Sequence, residues 1–391
     1  MKPGLERMEA ACEKMGHPER RYPSIHIAGT NGKGSVAAML HSVYTEAGYR
    51  VGLFTSPHLV RVNERFRVGD REISDARLEE VLSKIPETEL SFFERCTLLA
   101  FQFFAEENVD LAVFEVGLGG RLDATNVLTP RLSVITEIAL DHTEILGNDL
   151  ASIAYEKGGI IKPGVPVVCG ATKEEAKKVI RALSGEKKSP FHEAPASRLH
   201  SDGTFDVPGF SRLRTGLTGV HQAANAATAM QALRVLGEVL PSLSLRESEM
   251  RRGLEKVRWP GRMEWVSEDP PVLFDGAHNP SGIRALVDSL IQGPGPSLHW
   301  KVLFSCAKEK DAEEMLAILR ELSASITVCR MKSARSADPS RLKGVSRSGL
   351  SGVETYRSLR DGLKGGEALL VTGSLYFIGE IKGCLPRPTS G

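Results

Sequence analysis

A short glycine-rich segment with one lysine and one serine is the part of this sequence best suited to bind phosphate. Residues 28–35 read AGTNGKGS and lie between a predicted strand and a predicted helix. Glycines allow backbone N–H groups to turn toward phosphate oxygens, and the helix start adds positive potential. Lys33 offers a charge for the β- and γ-phosphates, and Ser35 offers a hydroxyl for magnesium. The segment departs from the standard G-x-x-x-x-G-K-[ST] string, because residue 27 is Ile and the hydroxyl follows Gly34. The predicted nucleotide-binding residues here are Gly29, Thr30, Asn31, Gly32, Lys33, Gly34 and Ser35.

A second set of polar side chains follows two further predicted strands. Glu115 lies at the end of the apolar run LAVFEV, at the carboxyl edge where open α/β sheets bind ligands. Burying a bare carboxylate is costly, so Glu115 needs a partner. It either binds magnesium, caps the GLGG turn or pairs with Arg121. Asp141 and His142 follow the next strand, LSVITEI, and should lie beside Glu115. A lone histidine usually has only a structural role, but its place at a neighbouring strand end favours a ligand.

The apolar pattern predicts the framework that positions these residues. Strands alternating with helices indicate a mostly parallel sheet with helices on both faces, which is an α/β fold. The predicted strands of this first unit are 24–28, 51–54, 111–116, 132–138 and 165–169, and its clearest helices are 36–48, 76–84 and 92–107.

The second half of the chain repeats this alternation after an interruption. Prolines and glycines in residues 185–218 predict a small β-rich excursion or loop, and an alanine-rich helix follows at 221–237. Four strands then predict a smaller, Rossmann-like α/β unit, at 272–275, 301–304, 325–329 and 368–371. We therefore predict an ATP-binding domain at 1–256, a linker at 257–270 and a C-terminal domain at 271–391.

Composition excludes several classes of protein. The 391 residues carry a formal net charge of +1, so no global field favours nucleic acid or an anionic membrane. Six cysteines lie far apart without a CxxC pair, which argues against zinc or a disulfide framework and for reduced, cytosolic thiols. The first residues lack the apolar core of a signal peptide, and no apolar run is long enough to span a membrane. These features predict a cytoplasmic protein.

The ordered blocks of this sequence resemble the Mur ligase superfamily and, more narrowly, the folylpolyglutamate synthase/dihydrofolate synthase family. The resemblance runs from about residue 4 to about residue 382. Its blocks are AGTNGKGS, SPHL, NERF, EVGLGGRLDATN, LDHTEILG, IAYEKGGIIKPGVPVV, HQAANAATA, PGRME and DGAHNP. It implies a C-terminal glutamate-ligase domain and a folate-side loop near 55–66. The folate-side residues that it implies are Ser56, Pro57, His58, Arg65, Arg121, Asp123 and Ala124.

The resemblance also implies a two-metal site. Glu115 would bridge two magnesium ions, with Ser35 on one and His142 on the other. Lys157, which by itself looks like a solvated helix lysine beside Glu156, matches a lysine that reacts with carbon dioxide. Its carbamate would bind the second magnesium, and its formation needs a locally lowered amine pKa. The family usually has alanine next, so Gly158 could loosen this arm.

The C-terminal blocks imply the rest of the site. Asn225 would contact the adenine or the phosphates, Arg262 the phosphates, and Asp275 would hold the ribose or orient the domain. His278 would lie near the glutamate, although DGAHNP is also an ordinary strand-to-helix turn. Two further segments resemble family blocks but also fit plain loop structure. GSLYFIGE would place Ser374 and Tyr376 near the glutamate, and AKEKD keeps the lysine and second acid of its counterpart. The departures there are Ser305-Cys306, where glycine is expected, and Glu309, where aspartate is expected.

The implied reaction joins L-glutamate to pteroate or a folate. The acid attacks the γ-phosphate of ATP, and the glutamate amine then displaces phosphate from the acyl phosphate, with His278 a candidate base. The predicted cofactors are ATP, two Mg²⁺ ions and the carbamate on Lys157, with K⁺ as a further candidate, and the predicted assembly is a monomer. The alternatives are a Mur-type ligase acting on a UDP-linked cell-wall precursor, a P-loop kinase or switch, and a catalytically inactive binding protein.

Overall fold

The computed structural model describes residues 4–86, 89–292 and 298–385, and it contains two α/β regions. An eight-stranded sheet organises the N-terminal region, in the spatial order β4-β3-β2-β5-β1-β6-β7-β8. Its strands are β1 (Ser24–Ala28), β2 (Val51–Phe54), β3 (Phe66–Val68), β4 (Arg71–Glu72), β5 (Leu111–Glu115), β6 (Leu132–Ile135), β7 (Val167–Cys169) and β8 (Phe191–Glu193). In the spatial order β2-β5-β1-β6-β7-β8 every neighbouring pair is parallel. Strands β3 and β4 add an antiparallel edge next to β2.

Strand β1 lies near the centre of this sheet. All five of its residues are buried, as expected for a parallel strand covered on both faces. It pairs with β5 on one side and β6 on the other, with Ile27 opposite Glu115 and Ala28 opposite Ile135. This register brings the segment after β1, the end of β5 and the residues after β6 to one edge of the sheet.

Helices cover both faces of the first sheet. They are α1 (Glu6–Lys14), α2 (Lys33–Glu46), α3 (Asp75–Leu82), α4 (Phe92–Glu106), α5 (Thr143–Leu146), α6 (Leu150–Gly158), α7 (Glu174–Glu186), α8 (Gln222–Val239) and α9 (Glu247–Lys256). Helices α2 and α8 pack in one apolar core, and α1 and α4 pack in a second one. Phe101 and Phe104 of α4 are fully buried there. Among the described residues, no helix combines the length and the apolar character needed to cross a bilayer.

The region predicted to be β-rich, residues 185–218, contains a small antiparallel sheet. Its strands are β9 (Arg198–Leu199), β10 (Phe205–Val207) and β11 (Phe210–Leu213), in the order β11-β10-β9. Phe205, Val207 and Leu213 attach this sheet to the core that contains α2 and α8. Strand β8 also falls in this region, but it extends the large sheet.

A six-stranded sheet organises the C-terminal region, in the order β12-β13-β17-β14-β15-β16. The strands are β12 (Glu264–Glu268), β13 (Pro271–Phe274), β14 (His299–Phe304), β15 (Ser325–Arg330), β16 (Ser346–Ser351) and β17 (Glu367–Thr372). The helices are α10 (Pro280–Gln292), α11 (Ala312–Leu319), α12 (Gly352–Asp361) and α13 (Leu375–Lys382). All pairs are parallel except β12 with β13. The predicted mostly parallel α/β class is confirmed.

Two strands of the C-terminal sheet were not predicted. Strand β12 lies inside the predicted linker at 257–270, so the connection to this sheet ends before residue 264. Strand β16 has a mostly exposed, serine-rich sequence without alternating apolar residues, and it pairs only at the edge with β15. Edge pairing supplies its hydrogen bonds without an apolar pattern, which explains why periodicity did not find it.

Candidate active site

A cleft of about 750 Å³ lies between the two regions, at the carboxyl ends of the strands of both sheets. Most of the residues singled out in the sequence line it. These are residues 29–35, Ser56, Pro57, Glu115, His142, Lys157, Asn225, Arg262, Asp275, His278, Ser374 and Tyr376. Five other predicted residues do not line it: His58, Arg65, Arg121, Asp123 and Ala124.

The phosphate loop joins β1 to α2, and its shape is fixed by neighbouring backbone. The N–H of Thr30 donates to the carbonyl of Glu137 at 2.8 Å, and the hydroxyl of Thr30 donates to the carbonyl of Ala139 at 3.0 Å. The hydroxyl of Thr136 donates to the carbonyl of Asn31 at 2.7 Å. Residues 136–139, which follow β6, thus hold the loop in place through these contacts.

Gly32 caps the N-terminus of α2 with φ of +87°, and a Cβ there would lie 2.4 Å from Oδ1 of Asn225. We therefore expect Gly32→Ala to weaken ADP binding more than tenfold, since left-handed strain of about 1–2 kcal/mol adds to a clash inside the cleft. Isothermal titration with ADP measures this. Gly48→Ala is the matched control, because Gly48 has φ of +93° and nothing within 4 Å of its Cβ position. Equal ADP affinity of both variants would contradict the close approach at Gly32.

Two lysines converge on the phosphate loop. Lys33 Nζ donates to the carbonyls of Gly29 at 3.0 Å and Thr30 at 3.2 Å. Lys157 Nζ donates to the same carbonyl of Gly29 at 2.9 Å. Burial lowers the pKa of both amines, and burial together with the Lys33 cation lowers the pKa of Lys157 to about 7. Lys157 is therefore not a solvated helix lysine, and part of its population is neutral near pH 7.

Glu115 is a buried carboxylate at the end of β5. Its Oε2 accepts a hydrogen bond from the N–H of Ser56 at 3.1 Å, and burial raises its pKa. The ion pairs found among the described residues do not include Glu115. A carboxylate buried without a paired cation fits a metal ligand, because a divalent ion would supply the missing charge.

The remaining predicted metal ligands lie in the same cleft. Ser35 is buried in the first turn of α2, His142 precedes α5, and Lys157 reaches the loop from α6. Within the described part of the chain, no group of three or more His, Cys, Asp and Glu side chains is arranged around a metal position. A metal ion would therefore need ligands of other kinds, such as the Ser35 hydroxyl, phosphate oxygens or a modified Lys157.

A polar network connects the strand end after β6 to the C-terminal region. Asp141 forms a close ion pair with Lys310, and it accepts a hydrogen bond from Nδ2 of Asn279 at 3.0 Å. Nδ2 of Asn279 also donates to Oδ1 of Asn31 at 3.1 Å. These pairs hold the phosphate loop and the C-terminal region together. Lys310 and Asn279 were absent from the predicted site residues, although both lie in segments that the sequence singled out.

His278 lies next to Asp141, a member of this network. Its Nδ1 is 2.8 Å from the carbonyl of Gly276, which fixes the proton on Nδ1, and its Nε2 is 3.7 Å from Oδ2 of Asp141. Burial, followed by the charge of Lys310, lowers the pKa of His278 to about 4. The imidazole is therefore neutral at physiological pH, with an unprotonated Nε2.

Both oxygens of Asp275 are engaged by backbone. Oδ2 accepts from the N–H of Met263 at 2.9 Å, and Oδ1 accepts from the N–H of Ala277 at 2.8 Å. These bonds tie β13 to the connection before β12, and they correspond to the domain-orienting alternative for Asp275.

Asn225, one turn into α8, donates from Nδ2 to Oε1 of Gln222 at 2.9 Å. Nε2 of Gln222 in turn lies 3.5 Å from Oγ of Ser35, so the Gln222 amide connects Asn225 to the start of α2.

Arg65 and His58 form a pair beside the cleft. The Arg65 side chain is buried, its Nε donates to Nδ1 of His58 at 2.9 Å, and its guanidinium lies 5.4 Å from the centre of the Phe92 ring. The Phe92 ring against which Arg65 packs is itself 61% exposed.

Asp123, Ala124 and Arg121 are placed by the loop after β5. Asp123 accepts hydrogen bonds from the N–H groups of Gly117 at 3.0 Å and Leu118 at 2.9 Å, so its carboxylate shapes this loop. Ala124 is buried at the start of a 3₁₀ turn. Arg121 pairs with Glu156 at 2.9 Å on an exposed surface and does not approach Glu115. The alternative in which Glu115 pairs with Arg121 is therefore wrong.

The structure shows what the residues that depart from the family pattern contact. A Cβ at Gly158 would lie 2.4 Å from Cδ1 of Leu183, so the glycine allows α6 and α7 to pack closely. Ser305 donates to the carbonyl of Cys329 at 2.9 Å, and Cys306 is in the core, so neither faces the cleft. Glu309 forms an ion pair with Arg335.

The comparisons with known proteins agree with this geometry. The Mur ligase middle domain matches residues 27–233, and the Mur ligase glutamate ligase domain matches residues 261–375. The fold and the cleft are those of a Mur-type, ATP-dependent ligase. The chain is also 38% identical to dihydrofolate synthase/folylpolyglutamate synthase of Bacillus subtilis, over 98% of this chain and 95% of that protein. It belongs to the folylpolyglutamate synthase/dihydrofolate synthase family.

Two solved structures give the same result in three dimensions. E. coli FolC in complex with DHPP and ADP superposes with a TM-score of 0.88 at 31% identity, covering 98% of this chain and 93% of that one. The Yersinia pestis bifunctional enzyme complexed with AMPPNP and a Mn ion superposes with a TM-score of 0.87 at 31% identity, covering 97% and 93%. The recognition made from the sequence blocks is confirmed.

Proposed function

We propose that this protein adds L-glutamate to dihydropteroate, to reduced folates or to both, with ATP as the activating substrate. One observation carries the proposal most directly. The loop after β1 and Glu115 line one wall of the cleft, and His278 after β13 and Ser374 at the start of α13 line the other. A two-domain ligase needs this arrangement, because the acyl phosphate formed on one wall must meet an amine held by the other.

In the first step, a carboxylate oxygen of the folate-type acid bonds to the γ-phosphorus, and the bond to the β,γ-bridging oxygen breaks. Lys33 and the backbone N–H groups of the loop stabilise the charge that moves to the bridging oxygen. Magnesium ions, held by Ser35, Glu115 and His142, would neutralise further charge on the phosphates. Asn225 and Arg262 position the nucleotide, and closure of the cleft keeps water from the acyl phosphate.

In the second step, the glutamate amine bonds to the acyl carbon and inorganic phosphate leaves. The amine must be neutral to attack, and the new amide nitrogen must lose a proton. His278 is the proposed acceptor, because its Nε2 is unprotonated and its Nδ1 is held by Gly276. Ser374 is buried at the start of α13 without a side-chain capping bond, which leaves its hydroxyl for the glutamate.

We also propose that Lys157 carries a carbamate in the active enzyme. The amine is buried beside the phosphate loop, and its lowered pKa provides the neutral form that reacts with carbon dioxide.

The two solved structures support the proposed classes of substrate and metal. The E. coli protein is in complex with DHPP and ADP, and the Yersinia protein is in complex with AMPPNP and a Mn ion. Potassium, the monomeric state, the cytoplasmic location and the folate-side roles of His58, Arg65, Arg121, Asp123 and Ala124 remain predictions.

The decisive assay measures phosphate release with ATP and magnesium. We expect release only when both L-glutamate and a folate-type acid are present, and the amide product should accumulate in equal amount. Dihydropteroate and tetrahydrofolate, tested separately, distinguish the two activities. Turnover with a UDP-linked cell-wall precursor alone, or phosphate transfer without glutamate, would overturn the proposal in favour of a Mur-type cell-wall ligase or a kinase.

A further inference from the structure

Lys310 extends from the loop before α11 into the site of the other domain. Its side chain is only 8% exposed, and Nζ forms a close ion pair with Asp141. The same Nζ lies 3.3 Å from Nε2 of His142. One ammonium group of the C-terminal region therefore contacts two side chains that follow β6.

The contact with His142 fixes which atom offers the electron pair. A lysine ammonium is only a hydrogen-bond donor, so Nε2 of His142 must accept. The proton of the neutral imidazole is then on Nδ1. Metal ions bind histidine through the lone pair of an unprotonated ring nitrogen, so Lys310 and a cation on Nε2 would use the same lone pair.

Asp141 retains a hydrogen-bond partner if Lys310 moves away. It accepts from Nδ2 of Asn279 at 3.0 Å. The Asn279–Asn31 hydrogen bonds also keep the two regions in contact. Displacing Lys310 from His142 therefore does not require the cleft to open.

We propose that Lys310 is a resident cation that occupies the His142 lone pair in the metal-free enzyme and yields it when a divalent cation binds. This inference rests on the proposed role of His142 as a metal ligand. Two cations cannot share one lone pair, and two like charges held against the same imidazole would repel each other. Competition by Lys310 thus lowers the affinity of the site for the metal. When a metal ion does bind, the contact between Lys310 and His142, which joins the two domains, is broken.

The test measures Mn²⁺ binding to the nucleotide-free protein, by the paramagnetic resonance signal of free Mn²⁺. We expect Lys310→Met to lower the dissociation constant about tenfold, because a competing positive charge is removed. Lys310→Arg retains the charge and should give no such gain. Lys308→Met is the control for charge in the same loop, since Lys308 is exposed and does not line the cleft. Thermal unfolding of each variant verifies that it is folded.

A double-mutant cycle with His142→Ala separates competition at the lone pair from a general effect of charge. The gain from Lys310→Met should vanish in the His142→Ala background. A gain that persists there, or wild-type affinity in a folded Lys310→Met protein, would overturn the inference. Glutamate-dependent phosphate release by the wild type tests the proposed function separately, because it does not depend on how Mn²⁺ affinity responds to Lys310.

Discussion

Lys33→Ala is expected to lower turnover by a factor of about a hundred to a thousand, equivalent to ~3–4 kcal/mol of transition-state stabilisation. The amine of Lys33 lies within the phosphate loop, where it donates to the carbonyls of Gly29 and Thr30. With ATP bound, the N–H groups of the Lys33 ammonium would instead donate to the phosphate oxygens, where charge develops as the γ-phosphoryl group transfers. Steady-state rates with saturating ATP, glutamate and folate substrate measure the loss.

The fold should survive the Lys33 substitution. Burial lowers the pKa of this amine, so its charge is held at a cost and its removal should not destabilise the domain. We expect the melting temperature to stay close to that of the wild type. Lys14→Ala, at an exposed position near the end of α1, serves as the control that removes a lysine elsewhere. Near-normal turnover by a folded Lys33→Ala protein would exclude the phosphate loop as the site of ATP activation.

The second large effect is expected at Lys157. Lys157→Ala should lower turnover at least about a hundredfold, because the proposed carbamate supplies an anionic oxygen that no neighbouring side chain replaces. The buried amine reaches Gly29 from α6, so its removal leaves space beside the loop. Acetate or formate could enter that space, and we expect either to restore part of the activity. Lys178→Ala, an exposed lysine on the adjacent α7, should behave as the wild type.

Carbon-13 spectroscopy tests the modification itself. Protein prepared with labelled bicarbonate and magnesium should show a carbamate carbonyl signal that Lys157→Ala lacks. The signal should disappear when carbon dioxide is removed, and activity should fall with it. A fully active enzyme with magnesium bound and an unmodified Lys157 would refute the carbamate while leaving the ligase assignment intact.

Local sequence determined the phosphate loop and its partners along the sheet edge. A buried five-residue strand followed by glycines, Lys33 and a helix has few alternative conformations, so AGTNGKGS predicted its own structure. Parallel strands present their carboxyl ends at one edge, and this placed Glu115 and His142 near the loop without knowledge of the strand order. The ordered blocks then identified the family, because many short patterns had to agree in order.

The tertiary structure alone decided which charged side chains enter the cleft. Lys157 by itself looked like a solvated lysine and Arg121 like a candidate partner of Glu115, yet Lys157 is buried beside Gly29 and Arg121 is exposed with Glu156. Lys310 reaches Asp141 across 169 positions of chain. Burial and ion pairing of this kind depend on how elements far apart in sequence pack together. Periodicity and local spacing describe only one element at a time, so they carry no information about these contacts.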